Sequence, residues 1–191
     1  MDEVESRARA AIDAAHGDDP ERVAGRPAEA VYADRIEAWI ARIVAQAKPS
    51  LALRLAARAQ HLERWAIPRS QFPEGRGGYL RWRSAVQQRQ GERVRALVVE
   101  TGGDPALADR TALLVAKSAP RDDVEAQALE DAACLAFLET ELADFQRDHE
   151  REKVVEVLRK TWKKMSPAAH QLALDLPLAP EARDLLREAL S

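Results

Sequence analysis

Apolar residues recur at intervals of three and four along nearly the whole chain, and short breaks containing proline or glycine separate the periodic segments. This spacing places the apolar side chains on one face of a helix. No segment shows the alternation of β-branched and polar residues that is typical of a half-buried strand, and no internal repeat is present. The pattern therefore predicts an all-α fold, a single compact domain of about seven to nine helices.

Capping residues set the expected helix boundaries. Ser50, Asp104 and Ser166 are favourable N-caps, and the last two precede a proline, which suits the first helical turn. We expect one domain over residues 1–191, with its core in 28–165 and a C-terminal helical extension over 166–191. The expected helices cover 3–16, 28–46, 51–66, 79–100, 105–117, 122–147 and 150–165, with shorter ones from 167 and from 180. A shaped loop over 68–78 is expected before the helix at 79.

Composition excludes several classes of protein. The apolar stretches are too short to span a membrane, and the acidic start of the chain lacks the features of a signal peptide, so a cytoplasmic location is expected. A single cysteine, Cys134, excludes an internal disulfide and a cysteine-rich zinc site. Because it lies in an apolar helix, this cysteine is expected to be an inert core thiol.

The charge of the chain is unevenly distributed. The net charge is −3, yet the segment from Arg54 to Arg95 holds ten arginines and three acidic residues. A basic middle segment in an acidic protein favours a local anion site over a long nucleic-acid footprint.

Two adjacent carboxylates lie on or beside a buried helix face. On the helix that begins near 122, Asp131 falls in the middle of the apolar stripe, and Glu130 lies at its side. A buried carboxylate is costly unless it is paired, hydrogen-bonded or bound to a ligand. Asp131 and Glu130 are therefore candidate catalytic residues, and a structural ion pair of Asp131 with Arg58 or Arg83 is the alternative.

A polar ridge is predicted on the helix expected over 51–66. Arg54, Arg58, His61 and Trp65 follow one another at spacings of four, three and four, beside a leucine stripe, whereas Arg64 is expected to point away. His61 is the candidate general acid or base, and a satisfied histidine at the edge of the core is the alternative.

Other helices add cations at the edges of their apolar faces. Arg35, Arg83 and Lys117 occupy such positions on three further helices, and Lys117 is also placed to complement a helix C-terminus. This convergence predicts a polar, anion-accepting pocket inside a helical domain. The complete candidate set for anion binding is Arg35, Arg58, Trp65, Arg69, Arg76, Tyr79, Arg83 and Lys117.

Several sequence blocks resemble a known family. The strings "LAARAQHLERWAIPR", "GYLRWR", "LEDAACLAFLE" and "KTWKKMS" are similar to the family called domain of unknown function 4202, which occurs in bacteria and fungi. The resemblance covers most of the chain. It implies no activity.

The order of polar helices also resembles, more loosely, the His-Asp metal-hydrolase superfamily. The resemblance implies that His61 is the first half of the His-Asp pair and that Asp131 is the final aspartate, the two residues that would bind a divalent metal. The ligand set is incomplete, because Leu62 follows His61, and Arg35 and Lys117 stand where histidines are usual. Cations at these positions favour anions over divalent ions.

Three functions remain open at the level of sequence. The first is a degenerate His-Asp-type phosphohydrolase acting on a phosphorylated or nucleotide-like small molecule, in which Arg58 and Arg83 hold the anion and Asp131 orients His61. The second is a non-catalytic module that binds an anion, a nucleotide or RNA through the basic segment. The third is a structural protein with a buried ion-pair network.

Overall fold

Ten α-helices account for most of the described chain, which confirms the all-α fold class. The structure is a computed structural model that describes residues 3–45 and 48–191. None of the helices in these two ranges combines the length and the apolar character needed to cross a membrane. The helices are Glu3–Gly17 (α1), Ala28–Ile43 (α2), Leu51–Arg58 (α3), Gly75–Glu100 (α4), Pro105–Val115 (α5), Val124–Ala136 (α6), Leu142–Asp148 (α7), Arg151–Trp162 (α8), Pro167–Leu174 (α9) and Pro180–Leu190 (α10).

A two-residue hairpin, which the sequence analysis did not expect, joins α1 to α2. Its strands, Arg22–Val23 (β1) and Arg26–Pro27 (β2), pair antiparallel. Ala24 and Gly25 form the turn with φ values of 49° and 79°, the left-handed conformation that tight hairpins require. Strands this short contain no periodicity from which they could be predicted.

Helix boundaries differ from the predictions in three places. The helix expected over 51–66 ends at Arg58 and is followed by turns, in which His61 and Glu63 have φ values of 60° and 49°. Helix α4 begins at Gly75, inside the expected loop. The helix expected over 122–147 is interrupted by a π-helical segment, Phe137–Glu141. Helix α2 ends at Ile43, and residue 46, where its end was predicted, lies outside the described residues.

One hydrophobic cluster extends through the helices, and it reaches beyond the expected core of 28–165 at both ends. Helix α1 contributes the fully buried Ala8 and Ile12, and α10 contributes Leu185 and Leu186. Helices α4 and α5 pack closely because Gly91 has no side chain; a Cβ there would lie 2.9 Å from that of Ala116.

Arg58 lies where α1, α2 and α3 meet. Its guanidinium contacts Asp13 of α1 and, on α2, Asp34 at 2.5 Å and Glu37 at 3.4 Å. Its carbonyl accepts a hydrogen bond from Nε2 of His16 at 2.9 Å. With its side chain 8% exposed and its Nε and Nη1 donating to carboxylates, Arg58 takes part in helix packing, and the structure gives its prediction as an anion ligand no support.

Removal of Arg58 is expected to destabilise the protein strongly. In the Arg58→Met variant, three carboxylates lose a shared counter-ion and face one another, which should lower the free energy of unfolding by about 3 kcal/mol. Urea unfolding at pH 7 measures this change. The matched control is Arg95→Met, which breaks an exposed pair with Asp109 and should cost less than about 0.5 kcal/mol. Equal losses in the two variants would show that the cluster does not hold the three helices together.

Candidate functional site

A cleft of about 310 Å³ opens among α2, α4, α5, α6 and α8 and the turns that follow α3. Its walls combine cationic, aromatic and apolar side chains. The residues that line it are Tyr32, Gln60, His61, Arg64, Tyr79, Trp82, Arg83, Val86, Gln87, Gln90, Val115, Lys117, Glu130, Ala133, Cys134, Phe137, Thr161 and Lys164. The cleft therefore collects side chains that are far apart in sequence.

Cations outnumber carboxylates in the cleft. Four cationic residues, Arg64, Arg83, Lys117 and Lys164, line it together with one acid, Glu130. Within residues 3–45 and 48–191, the Arg83 guanidinium has no ion pair and no hydrogen bond. The Arg64 guanidinium lies over the ring of Trp82, 5.1 Å from its centroid. The side chains that line the cleft therefore carry a net positive formal charge.

His61 is held by a carboxylate and by an aromatic ring. Its Nδ1 lies 3.0 Å from Oε2 of Glu29, and its ring stacks on Tyr32 with centroids 4.2 Å apart and planes 1° from parallel. A carboxylate only accepts hydrogen bonds, so Nδ1 donates to it, and Nε2, 3.4 Å from a donor of Arg64, presents its lone pair. An imidazole oriented in this way can accept a proton from a molecule in the cleft.

Two residues of the cleft have left-handed backbone conformations. His61 has φ 60° and Lys117 has φ 52°. Lys117 follows the C-cap of α5, where the amides of Lys117 and Ser118 bond back to Leu114 and Leu113 in a Schellman motif that usually has glycine in this position. Non-glycine residues in this conformation cost about 1 kcal/mol each and concentrate at functional sites.

Glu130 is the centre of an ion triad at the edge of the cleft. One carboxylate oxygen lies 2.8 Å from Nζ of Lys117 and the other 3.3 Å from Nζ of Lys164. Burial works to raise the pKa of Glu130, but the two ammonium groups outweigh it and hold that pKa at about 2. Glu130 is thus a fixed negative charge at neutral pH and not a proton donor.

Two further cleft residues are almost completely buried. Gln90 is 5% exposed, and its amide nitrogen has no hydrogen-bond partner. Burial raises the pKa of Cys134 to about 12, so this thiol stays protonated at neutral pH, in agreement with the expected inert cysteine.

Asp131 does not orient His61, and that prediction is wrong. Its carboxylate accepts hydrogen bonds from the Ser166 amide at 2.8 Å, the Ser166 hydroxyl at 2.6 Å and the Gln127 amide at 2.9 Å. Asp131 therefore fixes the start of α9 against α6. It is buried as expected, but its partners are neither Arg58 nor Arg83, and the carboxylate beside His61 is Glu29.

The remaining candidates divide into two groups. His61, Tyr79, Arg83, Lys117 and Glu130 line the cleft. Four others lie outside that lining, namely Arg35, which donates to Thr140, Arg69, which donates to the carbonyls of Phe72 and Pro73, and Trp65 and Arg76. Because α3 ends at Arg58, the predicted ridge does not continue to Trp65.

Sequence reasoning missed four polar residues at the site. Glu29 was missed because its contact with His61 joins distant segments, and Arg64 was expected to point away on a helix that has already ended. Lys164 lies in a basic group of residues at the end of a helix, where cations are favourable in any case, and the structure pairs it with Glu130. For Gln90 the sequence did contain a signal, because a polar residue on the apolar face of a helix indicates a buried polar group. His16 is fully buried beside Arg58, although nothing in the sequence pattern indicates its burial.

The residues near His61 do not fit the divalent metal that the His-Asp resemblance implies. Leu62, in the position of the paired aspartate, is fully buried among apolar side chains, and Asp131 is engaged by Ser166. Within the part of the chain that the structure describes, no three His, Cys, Asp or Glu side chains are grouped so that they could hold a metal ion.

Comparison with known proteins identifies one family. A family model described as "Domain of unknown function (DUF4202)" matches residues 6–186. No curated protein matches the chain, and no solved structure does. The resemblance of the sequence blocks to this family is thus confirmed. The looser resemblance to the His-Asp superfamily finds no support.

Because of the ion triad, the free energy of unfolding should depend on pH through the ionisation of Glu130. Because its folded pKa is about 2 against an ordinary value of 4.5, its contribution to stability is complete above pH 4.5 and is lost as the pH falls toward 2. Glu130→Gln should lower the free energy of unfolding by about 3 kcal/mol at pH 7, and the difference from the wild type should narrow below pH 4.5. Urea titrations between pH 7 and pH 3 measure it.

The control for this experiment is Glu92→Gln, on the exposed side of α4. It should change stability little at any pH. A loss in Glu130→Gln that stays constant between pH 7 and pH 3 would rule out the ion triad as its source.

Proposed function

The chain belongs to the DUF4202 family, whose description names no activity, and we propose from the side chains of the cleft that the protein binds a small phosphorylated, nucleotide-like molecule. The supporting observation is the guanidinium of Arg83, which has no partner among the residues that the structure describes, in a cleft with four cations and one carboxylate. Contacts that fix helix packing account for Arg58, through its ion pairs, and for Asp131, through its hydrogen bonds to Ser166 and Gln127. These contacts do not include Arg83.

Different side chains of the cleft suit different parts of such a ligand. The guanidinium of Arg83 can bind a phosphate through two parallel hydrogen bonds, and Arg64 lies in the same cleft. Lys117 and Lys164 are partly neutralised by Glu130, so they contribute less positive charge to the anion. Tyr79 and Trp82, whose ring centroids lie 5.7 Å apart, offer aromatic surface for a planar group.

Arg83→Gln is expected to weaken binding of AMP and of pyrophosphate about 10- to 100-fold, because a charge-assisted hydrogen bond to the phosphate is lost. Isothermal titration calorimetry measures the affinity, and the shift in Tm with ligand checks it. The control is Arg76→Gln, which removes an exposed arginine of the same helix outside the cleft and should leave the affinity unchanged.

Binding of RNA would give a different result. An RNA oligomer held by the basic segment should be weakened as much by Arg76→Gln as by Arg83→Gln, and its affinity should fall steeply with salt. If none of the phosphate compounds binds or raises Tm, the proposed cleft function is wrong.

A second candidate function, hydrolysis of the bound phosphate ester, is favoured by the Glu29–His61 pair. In this scheme, Nε2 of His61 takes a proton from water as the new O–P bond forms and the bond to the leaving oxygen breaks. The resulting imidazolium then returns the proton to the leaving oxygen. Glu29 is a positioning residue, since it holds the ring through Nδ1.

If the cleft is catalytic, His61→Asn should lower kcat at least 100-fold while AMP still binds, because the base is lost and asparagine tolerates the left-handed backbone. Glu29→Gln should lower kcat less and displace the pH profile of kcat, whereas KM stays similar. Release of inorganic phosphate from a panel of nucleoside phosphates is the assay. Wild-type protein that binds these compounds without turnover would remove the catalytic candidate and leave the binding site.

A further inference from the structure

Gln90 is a buried polar residue with an unused hydrogen-bond donor that adjoins a cleft. Within the described residues, three buried side-chain atoms lack a partner, namely Nδ1 of His16, Nε2 of Gln90 and Oε1 of Gln146. Of these residues, Gln90 alone lines the cleft. An amide donor left unpaired in a buried position is costly, and such a group calls for an explanation.

The position of Gln90 relative to Arg83 is set by helix geometry. Seven residues separate them on α4, so both lie on one face, and their backbones are about 10 Å apart along the axis. Val86 and Gln87 lie between them in the cleft wall. A molecule that contacts both side chains therefore extends further along the cleft than a phosphate bound at Arg83 alone.

The cleft that Gln90 lines contains apolar as well as polar side chains. Val115, Ala133 and Phe137 line it and offer no side-chain hydrogen bonds, and the thiol of Cys134 in the same cleft stays protonated. Several sugar hydroxyls would lose hydrogen bonds with water against such walls. A flat heteroaromatic ring has apolar faces and in-plane acceptor atoms, so it suits both the walls and the amide donor.

Taking the anion-binding function proposed above as its basis, we infer that the ligand is a nucleoside phosphate whose base accepts a hydrogen bond from Nε2 of Gln90 while its phosphate binds Arg83. The ligand thus has two ends, and each is recognised by one residue of α4. A sugar phosphate without a base, or a phosphate ester whose ring has no in-plane acceptor, satisfies only the Arg83 end.

Titration calorimetry on the wild-type protein tests the ligand class. AMP and UMP represent the two kinds of base, ribose 5-phosphate lacks a base, and phenyl phosphate has a ring without an acceptor. At least one nucleotide should bind about 10-fold more tightly than either of the other two compounds. Equal affinities for all four would overturn the inference while the anion site stands, and absence of binding by all four would overturn the proposed function with it.

Gln90→Met tests the residue itself, since it keeps the size and shape of the side chain and removes the donor. The preferred nucleotide should lose about 5- to 10-fold in affinity, the value of one neutral hydrogen bond, and ribose 5-phosphate should lose nothing. The Tm of the ligand-free variant should equal or exceed that of the wild type, because no internal hydrogen bond is lost. A Tm several degrees lower, or an equal loss of affinity for both compounds, would overturn the assignment.

Discussion

The buried guanidinium of Arg58 is the interaction on which the arrangement of the first three helices depends. It is the last residue of α3, and it contacts Asp13 of α1 and Asp34 and Glu37 of α2. Its guanidinium is buried, and removal of a buried partner leaves nearby charges uncompensated, although Asp34 and Glu37 also pair with Arg26 and Arg9. The end of α3 is thereby fixed against α1 and α2. The turn that follows places His61 in contact with Tyr32 and Glu29, both on α2.

Backbone conformation at the ends of α3 and α5 brings the site together. His61 and Lys117 both adopt left-handed backbone conformations where a helix has ended, a position that favours glycine or asparagine. The backbone changes direction at each residue, and the side chain lies in the cleft as a result. The local cost is offset by a stacking partner for His61 and by an ion pair with Glu130 for Lys117. Ala24 and Glu63 adopt the same conformation without lining the cleft, so His61 and Lys117 are distinguished by the position of their side chains in it.

Features that depend on local sequence were predictable, and features that depend on distant contacts were not. The caps at Ser50, Asp104 and Ser166 followed from residue type, and the position of Arg83 followed from periodicity, since its helix forms as expected. Lys117 lies one residue beyond the C-cap of α5, close to the helix end where it was expected. His61 was predicted to lie on the helix over 51–66, but α3 ends at Arg58. The sequence did not indicate this early end, because histidine carries no clear signal for a left-handed turn. The burial of Asp131 was correct, but its pairing with Ser166 brings together helices that nothing in the sequence connects.

Arginines elsewhere in the molecule show why Arg83 and Gln90 stand apart. Arg54 bonds Glu5, Arg110 bonds Asp123 and Glu125, and Arg58 bonds three carboxylates, whereas Arg35 and Arg69 donate to neutral oxygens, so as a rule these guanidinium groups have an acceptor within the fold. On the cleft face of α4 this rule is not followed, since one cation and one buried amide have no partner within the described chain. Donors kept unpaired in a cleft lower the stability of the free protein, and they are ready for acceptors from outside it. A phosphate and a base, held two helical turns apart, supply those acceptors together.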